Sequence, residues 1–233
     1  MEPDPRNDSL RKPWLGREWR LGVAAIAFMA MAVAETAPGR AAAITATVTD
    51  EAGKPLPDAV VSVTATGDVR IIPSTQLAAA EIDQRDETFV PSVVVIQPGG
   101  SVTFRNSDRT RHHIYSFSPI RQFEFVQKPD DLSPSVSFEV PGVAAIGCNI
   151  HDFMIAYVYV TDAPRAAVTD SRGRVEITDL PAGRFTATVW HPRLRTKAAP
   201  PSQSVTLESS STMLAITISV LPPRRARDPK SPY

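Results

Sequence analysis

The sequence predicts an all-β protein of 233 residues, and three observations support this fold class. Short runs rich in Val, Ile and Thr recur along the chain, and many of them alternate apolar with polar residues, as strands with one buried face do. Clusters of Gly, Pro, Asp and Asn separate these runs, and the chain has 22 prolines, which favour turns over long helices. After residue 43, no long run has the apolar period of an amphipathic helix.

The composition indicates one or two domains without an electrostatic signature. Lys plus Arg and Asp plus Glu each total 25, and this balance argues against a general binder of nucleic acid or of membrane surfaces. A chain of this length can bury a sizeable core. We find no Ser-His-Asp arrangement and no paired-carboxylate signature, so we do not expect an enzyme.

The first element, 1–43, is predicted to be a signal peptide and spacer. An uncharged apolar run, 21–34, follows Arg17 and Arg20. Because a membrane-spanning helix needs about 20 apolar residues, this run suits the h-region of a signal peptide better. Small residues at 32–34 or within 41–43 offer a cleavage site, and an uncleaved anchor is the alternative. In both cases we expect the folded part to be periplasmic or secreted.

The next element is a hairpin-like unit, 44–66, with its own apolar face. Alternating polar and apolar residues predict strands at 45–49 and 60–66 on either side of a turn at 50–53. The segment 77–84 is compatible with a strand or a short helix, and we favour the strand.

The segment 89–161 has the clearest strand pattern. Turn residues at 97–100, 106–108 and 141–142 separate its apolar runs. We predict a loop at 119–134. The predicted strands are 92–96, 101–105, 112–117, 135–140, 144–148 and 155–161.

A second alternating region closes the chain. Val175 and Ile177 precede a turn at 179–183, and a strand follows at 184–190. Two further apolar segments lie at 204–207 and 213–221. The stretch from Pro222 is basic and proline-rich, which predicts a disordered tail.

The chain's single cysteine lies in the sequence CNIHDFM, where Cys148, His151 and Met154 are spaced by three. Outside the cytoplasm, one cysteine cannot form an intramolecular disulfide, so it is an inert buried thiol, an intermolecular bridge or a metal ligand. Two histidines and a cysteine with a weak axial methionine make a blue-copper site. The second histidine is available as His112 or His113.

Each of these residues, taken singly, is structural more often than functional, because lone Cys and Met residues usually fill cores. Their combination on one short connection, with two histidines upstream and a secretion signal, favours a metal site. His191 lies in a Trp-His-Pro turn far away in sequence, and we expect it to be structural.

The stretch 89–161 resembles the cupredoxins, in particular amicyanin-like and plastocyanin-like members and small periplasmic proteins of the methylamine-utilisation type. The resemblance rests on Phe89-Val90-Pro91, on Gly99-Gly100, and on Val102, Phe104 and Asn106 in a V-x-F-x-N pattern, followed by a histidine and the CNIHDFM loop.

This resemblance implies a Greek-key β-sandwich that holds one type 1 copper, with His112, Cys148, His151 and Met154 as the metal ligands. One residue departs from the family pattern, because His113 stands where the family usually has Asn. The first ligand is therefore His112 or His113. We favour His112 because it falls where the first ligand of the family stands. Neighbouring residues on a strand face opposite sides, so both histidines cannot reach one ion.

The flanking segments resemble carboxypeptidase-regulatory-like, prealbumin-like or CnaB-like β-sandwiches. The first half of that pattern is Gly53-Lys54-Pro55-Leu56, and the second half is Thr169-Asp170 with Gly173 and the Leu180-Pro181-Ala182-Gly183 turn. We infer a cupredoxin inserted into a split carrier sandwich, which loops tolerate when their ends lie close together. Two independent flanking pieces are the alternative. The inferred domains are 1–43 (signal and spacer), 44–68 plus 166–221 (discontinuous sandwich), 77–163 (copper-binding cupredoxin) and 222–233 (tail).

The leading functional hypothesis is a periplasmic blue copper protein that carries single electrons between redox protein partners. We expect it to be a monomer without nucleic-acid contacts, and without membrane contacts once the signal is removed. One alternative is a copper chaperone or buffer with no electron-transfer role. Another is a non-redox extracytoplasmic binding module whose site holds zinc or is a relic.

Overall fold

The computed structural model describes residues 42–195, 199–208 and 210–223, all within one compact unit. The predicted signal run, the cleavage site at 32–34 and the predicted tail from residue 224 onward lie outside the described residues. Ala42 and Ala43 of the second predicted cleavage site are buried residues of the first strand. Within the described part, no helix is long and apolar enough to cross a membrane.

These residues form β-strands and one short 3-10 helix, Thr75–Leu77, so the predicted all-β class is confirmed. In chain order the strands are β1 (Ala42–Thr49), β2 (Val60–Thr66), β3 (Ala79–Arg85), β4 (Thr88–Val90), β5 (Val93–Ile96), β6 (Gly100–Asn106), β7 (His112–Ser118), β8 (Arg121–Gln127), β9 (Ser135–Phe138), β10 (Gly142–Cys148), β11 (Ile155–Val160), β12 (Arg165–Val168), β13 (Arg174–Leu180), β14 (Gly183–Trp190), β15 (Ser202–Leu207) and β16 (Thr212–Thr217).

Two pairs of sheets enclose two hydrophobic clusters. The central sandwich consists of the sheets β5-β11-β10-β7-β8 and β4-β3-β6-β9, and the flanking sandwich consists of β13-β1-β16 and β12-β2-β14-β15. The buried apolar side chains of each sandwich come from both of its sheets and form one cluster between them. This is the layered arrangement in which each sheet buries one face.

The flanking sandwich is built from strands that precede and follow the central one in sequence. β1 runs antiparallel to β13 and parallel to β16, and β2 is antiparallel to both β12 and β14. Ile44, Ala46 and Val48 alternate along β1 and are fully buried. The chain therefore leaves this sandwich after β2 and returns to it at β12.

Alternation along the strands of the central sandwich sets which side chains face its core. On β7, His112, Ile114 and Ser116 are buried, and on β10, Ile146 and Cys148 are buried. Ile114 lies opposite Cys148 in the antiparallel β7–β10 pair. The same periodicity that packs Ile114 and Ile146 thus turns His112 and Cys148 inward.

The prediction of a loop at 119–134 is wrong for Arg121–Gln127, which forms β8 and pairs with β7 along its whole length. Phe123 and Phe125 pack against Phe104 with ring centroids 5.6 and 5.7 Å apart. Polar residues alternate with these two phenylalanines because β8 is an edge strand with one solvent-facing side. The segment 77–84 is a strand from Ala79 onward.

An aromatic contact joins the two sandwiches. Trp190 at the end of β14 lies with its ring centroid 5.7 Å from that of Tyr157 and 5.2 Å from that of Tyr159, both on β11. The Ser92 hydroxyl adds a hydrogen bond to Asp58 Oδ2 at 2.9 Å. Large aromatic surfaces of this kind contribute more to an interface than their polar neighbours do.

His191 follows Trp190 at this junction and is buried as a neutral ring. Its Nδ1 accepts a hydrogen bond from the Arg193 N–H at 3.0 Å, and its Nε2 donates to the Pro57 carbonyl at 3.2 Å. Burial, with a further effect of the Arg193 charge, lowers the pKa of His191. Protonation would remove the acceptor that the Arg193 N–H uses.

The pKa of His191 predicts that stability falls on acidification. As the pH falls, His191 is protonated at a higher pH in the unfolded chain, where its pKa is about 6.5, than in the folded protein. The stability that the neutral ring contributes is therefore complete above about pH 6.5 and is lost as the pH falls through the folded-state pKa. Thermal unfolding between neutral and mildly acidic pH measures this loss.

The pH dependence of the wild-type melting temperature is compared with that of His191→Asn. The Asn Oδ1 can replace Nδ1 as the hydrogen-bond acceptor, and the Asn side chain does not titrate. We expect the melting temperature of this variant to fall less steeply with decreasing pH than that of the wild type. Parallel curves for the two proteins would contradict the assignment.

Candidate metal centre

Three side chains from β7, β10 and the loop after β10 meet at one end of the central core. His112 is the first residue of β7, Cys148 is the last residue of β10, and His151 lies in the ligand loop, residues 149–154, which leads to β11. His112 and Cys148 are 0% and 2% exposed, and His151 is partly exposed. A sulfur and two imidazoles thus converge where the core approaches the surface.

The distances between the donor atoms fit a single metal ion. Cys148 Sγ lies 3.7 Å from Nδ1 of His112 and 3.7 Å from Nδ1 of His151, and the two Nδ1 atoms are 3.2 Å apart. A point equidistant from these atoms is roughly 2.1 Å from each, within the range of metal–nitrogen bonds and slightly below that of a metal–sulfur bond. These three atoms could therefore hold one ion together.

Met154 ends the ligand loop and returns its side chain to the core. Its N–H donates to the His151 carbonyl at 3.0 Å, which closes a turn. The side chain is 2% exposed and belongs to the same buried cluster as Cys148 and Ile114. The loop thus follows one buried sulfur-containing residue, Cys148, and ends with another, Met154.

A carboxylate lies near the outer nitrogen of each imidazole, and the one beside His112 is within hydrogen-bond distance. Asp108 Oδ2 is 2.8 Å from Nε2 of His112, and Glu87 Oε1 is 3.7 Å from Nε2 of His151. The Asp108 carboxylate also accepts the backbone N–H groups of Asp86 and Glu87, at 2.6 and 3.0 Å. Because Nε2 of His112 contacts this carboxylate, Nδ1 is the ring nitrogen that faces Cys148 and that would bind a metal ion after losing its proton.

The sequence interpretation missed Asp108 and Glu87. The sequence predicts a turn at 106–108, but it does not predict that this turn places Asp108 beside His112. The Asp108 N–H donates to Asn106 Oδ1 at 2.9 Å, and Asn106 Nδ2 donates to the Thr110 carbonyl at 3.0 Å. An Asp four residues before a candidate ligand histidine, across a turn headed by Asn, is the signal that the sequence offered.

Hydrogen bonds prepare the thiol for ionisation. Burial raises the pKa of Cys148, but hydrogen bonds from the His112 side chain and from the backbone of Ile150, His113 and His151 outweigh it and lower that pKa to about 6. Burial likewise lowers the pKa of His112, and the hydrogen bonds and charges of Cys148 and Asp108 outweigh it and raise that pKa. Thiolate and imidazolium stabilise each other here, and the thiolate is the form that binds metals.

The remaining two histidines lie outside this triangle. The side chain of His113 projects from the opposite face of β7, with Nε2 at 3.0 Å from Glu124 Oε1. His191 contacts Pro57 and Arg193 at the junction of the sandwiches. The structure therefore brings His112, and not His113 or His191, to Cys148 and His151.

No family model matches the sequence, and no curated protein matches it. Among solved structures, the chain is similar to a purple cupredoxin from Nitrosopumilus maritimus, with 23% identity and a TM-score of 0.32 over 35% of this chain and 99% of the other. It is also similar to amicyanin from Paracoccus versutus, with 19% identity and a TM-score of 0.33 over 43% of this chain and 98% of the other. A mutant plastocyanin of fern matches with 17% identity and a TM-score of 0.32, over 35% of this chain and 99% of the other. Each of these similarities extends over less than half of this chain.

The lowered pKa of Cys148 predicts an unusually acidic thiol in the metal-free protein. The ultraviolet absorbance of the thiolate should rise with a midpoint near pH 6, whereas an ordinary cysteine titrates at about 8.5. Replacing His112→Ala removes the largest stabilising contact and should raise the midpoint by about one pH unit or more. His191→Asn, which alters a distant buried histidine, should leave the midpoint unchanged. An ordinary midpoint in the wild type would contradict the thiolate–imidazole contact.

Proposed function

We propose that this protein carries single electrons through one type 1 copper ion bound by His112, Cys148, His151 and Met154. The observation that supports it most directly is the triangle of one cysteine sulfur and two imidazole nitrogens, of a size that suits one ion. Two histidines and a cysteine with a weak axial methionine form the donor set of blue copper sites. A bound copper ion supplies a one-electron couple at this position.

The protein's part in such a site is to hold its donors still. His112 and Cys148 extend from adjacent strands whose backbones are hydrogen-bonded to each other, and Asp108 fixes the orientation and tautomer of the His112 ring. Ligands held by packing and hydrogen bonds change position little when the charge of the site changes. A small rearrangement favours rapid exchange of single electrons.

The donor set favours copper over zinc. A structural zinc site is closed by four strong ligands in tetrahedral geometry, and here the fourth candidate is the thioether of Met154. The nearby carboxylates of Asp108 and Glu87 face the outer nitrogens of the imidazoles and not the triangle. The burial of His112 and Cys148 also favours a resident ion over one that a chaperone hands on.

We propose His151 as the place where electrons enter and leave. Its ring is the most exposed of the three donors, and it lies beside Ile150 and Phe153, which are 45% and 40% exposed. Together these two side chains form an apolar rim. Small apolar contacts suit a brief encounter with a redox protein partner.

The location and architecture complete the proposal. The uncharged run 21–34, outside the described residues, supports export of the protein from the cytoplasm. The pairing of β1 with β13 and β16 supports a discontinuous flanking domain into which the copper-binding domain is inserted. We assign the flanking domain no chemistry.

Copper loading tests the function. The purified protein should take up one copper ion per chain and develop the intense visible absorption of a thiolate–copper bond, which reduction and reoxidation should remove and restore. Cys148→Ser should abolish this band because the ligand sulfur is gone, and His191→Asn should retain it. A copper-treated sample that stays colourless, with a thiol that still reacts freely, would refute the proposal.

The contact between Asp108 and His112 predicts that a change at Asp108 weakens copper binding. Asp108→Asn removes the charge and leaves one oxygen for three N–H groups, so the His112 ring loses its fixed orientation. Copper affinity, measured by competition with a chelator, should fall about tenfold to a hundredfold.

Asp170→Asn is the matched control, because Asp170 Oδ1 also accepts two backbone N–H groups, from Arg172 and Arg174, but in the flanking sandwich. Equal copper affinities for the two variants would show that Asp108 does not act through His112.

A further inference from the structure

His113 lies on the outer face of β7, next to the proposed ligand His112, and its side chain contacts residues on both sides of it. Nε2 is 3.0 Å from Glu124 Oε1 on β8, and Nδ1 is 3.5 Å from Asn149 Nδ2 in the ligand loop. The two contacts require one tautomer, in which Nε2 donates to the carboxylate and Nδ1 accepts from the amide. The ring therefore connects the edge strand of the sheet to the loop.

The backbone of His113 contacts the same part of the loop. Its carbonyl accepts the N–H of Asn149 at 2.9 Å, and its backbone is also hydrogen-bonded to Cys148. Asn149 is thus held by its backbone and by its side chain to a single residue. Since Asn149 directly follows Cys148, these bonds restrict the torsions that direct the sulfur.

The end of the ligand loop is fixed by the buried side chain of Met154 and by the turn that the Met154 N–H closes with the His151 carbonyl. Asn149, Ile150, Asp152 and Phe153 are exposed, and an exposed loop with little buried apolar surface is a segment that opens readily. Strand pairing fixes the loop only where β10 ends and β11 begins. A hydrogen-bonded connection at its first residue therefore controls how often Cys148 is uncovered.

We infer that His113 is a positioning residue that, with Glu124 and Asn149, clasps the ligand loop and holds Cys148 in its binding geometry. This inference rests on the proposed function, because it assigns the clasp to the same metal centre. The clasp runs from Glu124 through the His113 ring to the Asn149 amide, across β8, β7 and the loop. The hydrogen bond from His113 to Glu124 does not reach the loop itself, so the bond to Asn149 is the one that holds it.

The reactivity of Cys148 in the metal-free protein tests the clasp. Because the thiol is buried, iodoacetamide reaches it only when the loop opens. The alkylation rate, measured at a pH where the thiol is fully ionised in every variant, therefore reports loop opening and not titration. His113→Ala removes the bond to Asn149 and should accelerate alkylation about threefold to tenfold, since one hydrogen bond contributes a factor of this size.

Two conservative replacements of His113 distinguish the effects of its two side-chain bonds on the alkylation rate. His113→Asn places an amide oxygen near the position of Nδ1, so it can accept from Asn149 but cannot reach Glu124, and it should restore the rate to within about twofold of the wild type. His113→Gln retains a donor for Glu124 and loses the acceptor for Asn149, so it should alkylate about as fast as His113→Ala. Asn149→Ala should match His113→Ala, which keeps the test valid if the latter variant fails to fold.

The control is Val126→Ala, because Val126 lies opposite His113 on the same outer face and has no bond to the loop. It should alkylate at the wild-type rate. In copper-loaded protein, the reduction potential and the energy of the visible band should shift in His113→Gln and stay close to the wild type in His113→Asn.

Wild-type alkylation rates in His113→Ala and Asn149→Ala would overturn the inference and leave His113 as a solvated surface residue. So would equal rates for His113→Asn and His113→Gln. A failure of the proposed function is distinguishable, because the alkylation measurement uses no copper. A protein that never binds copper but shows the predicted rates would retain the clasp and lose the electron carrier.

Discussion

The pairing of β7 with β10 is the constraint on which the candidate metal centre depends. Cys148 lies opposite Ile114, and Gly147 lies opposite Tyr115. A shift of this register by one residue would turn the inward side chains of one strand to the outer face. Gly147 also favours this register, because a Cβ there would lie 2.7 Å from the Cζ and Oη atoms of Tyr115. The ring of Tyr115 can lie against β10 beside Cys148 because Gly147 has no side chain.

Placing His112 inside the core buries a polar ring, and neighbouring polar groups offset the cost. Asp108 binds its outer nitrogen, and Gln127 stands opposite it on β8. Gln127 accepts from Gln84 Nε2 at 2.8 Å and donates to the Phe104 carbonyl at 3.1 Å. A hydrogen-bonded polar layer that spans β3, β6 and β8 therefore lies beneath the metal end of the apolar core.

The sequence alone was sufficient for the all-β class and for bringing Cys148 and His151 together, because alternation and short spacing are local properties. The resemblance led to the preference for His112 over His113, alternation excluded the use of both, and the structure brings His112 to the thiol. Two features were out of reach for different reasons. β8 is an edge strand whose apolar side contains only Phe123 and Phe125, so its pattern is short and was interpreted as a loop. Asp108 acts across a turn, and its role depends on how that turn folds.

The flanking sandwich also supports the candidate metal centre, because it packs against β11. This strand begins at Ile155, directly after the ligand loop, and its side chains alternate between two partners. Ala156 and Val158 face the core that contains Cys148, while Tyr157 and Tyr159 face Trp190 of the flanking sandwich. Burial raises the pKa of Tyr159, whose side chain is also hydrogen-bonded to Ser62 on β2. The strand on which the loop ends is thus packed on both faces, and the second sandwich supports the side of the sheet that would otherwise be exposed to solvent.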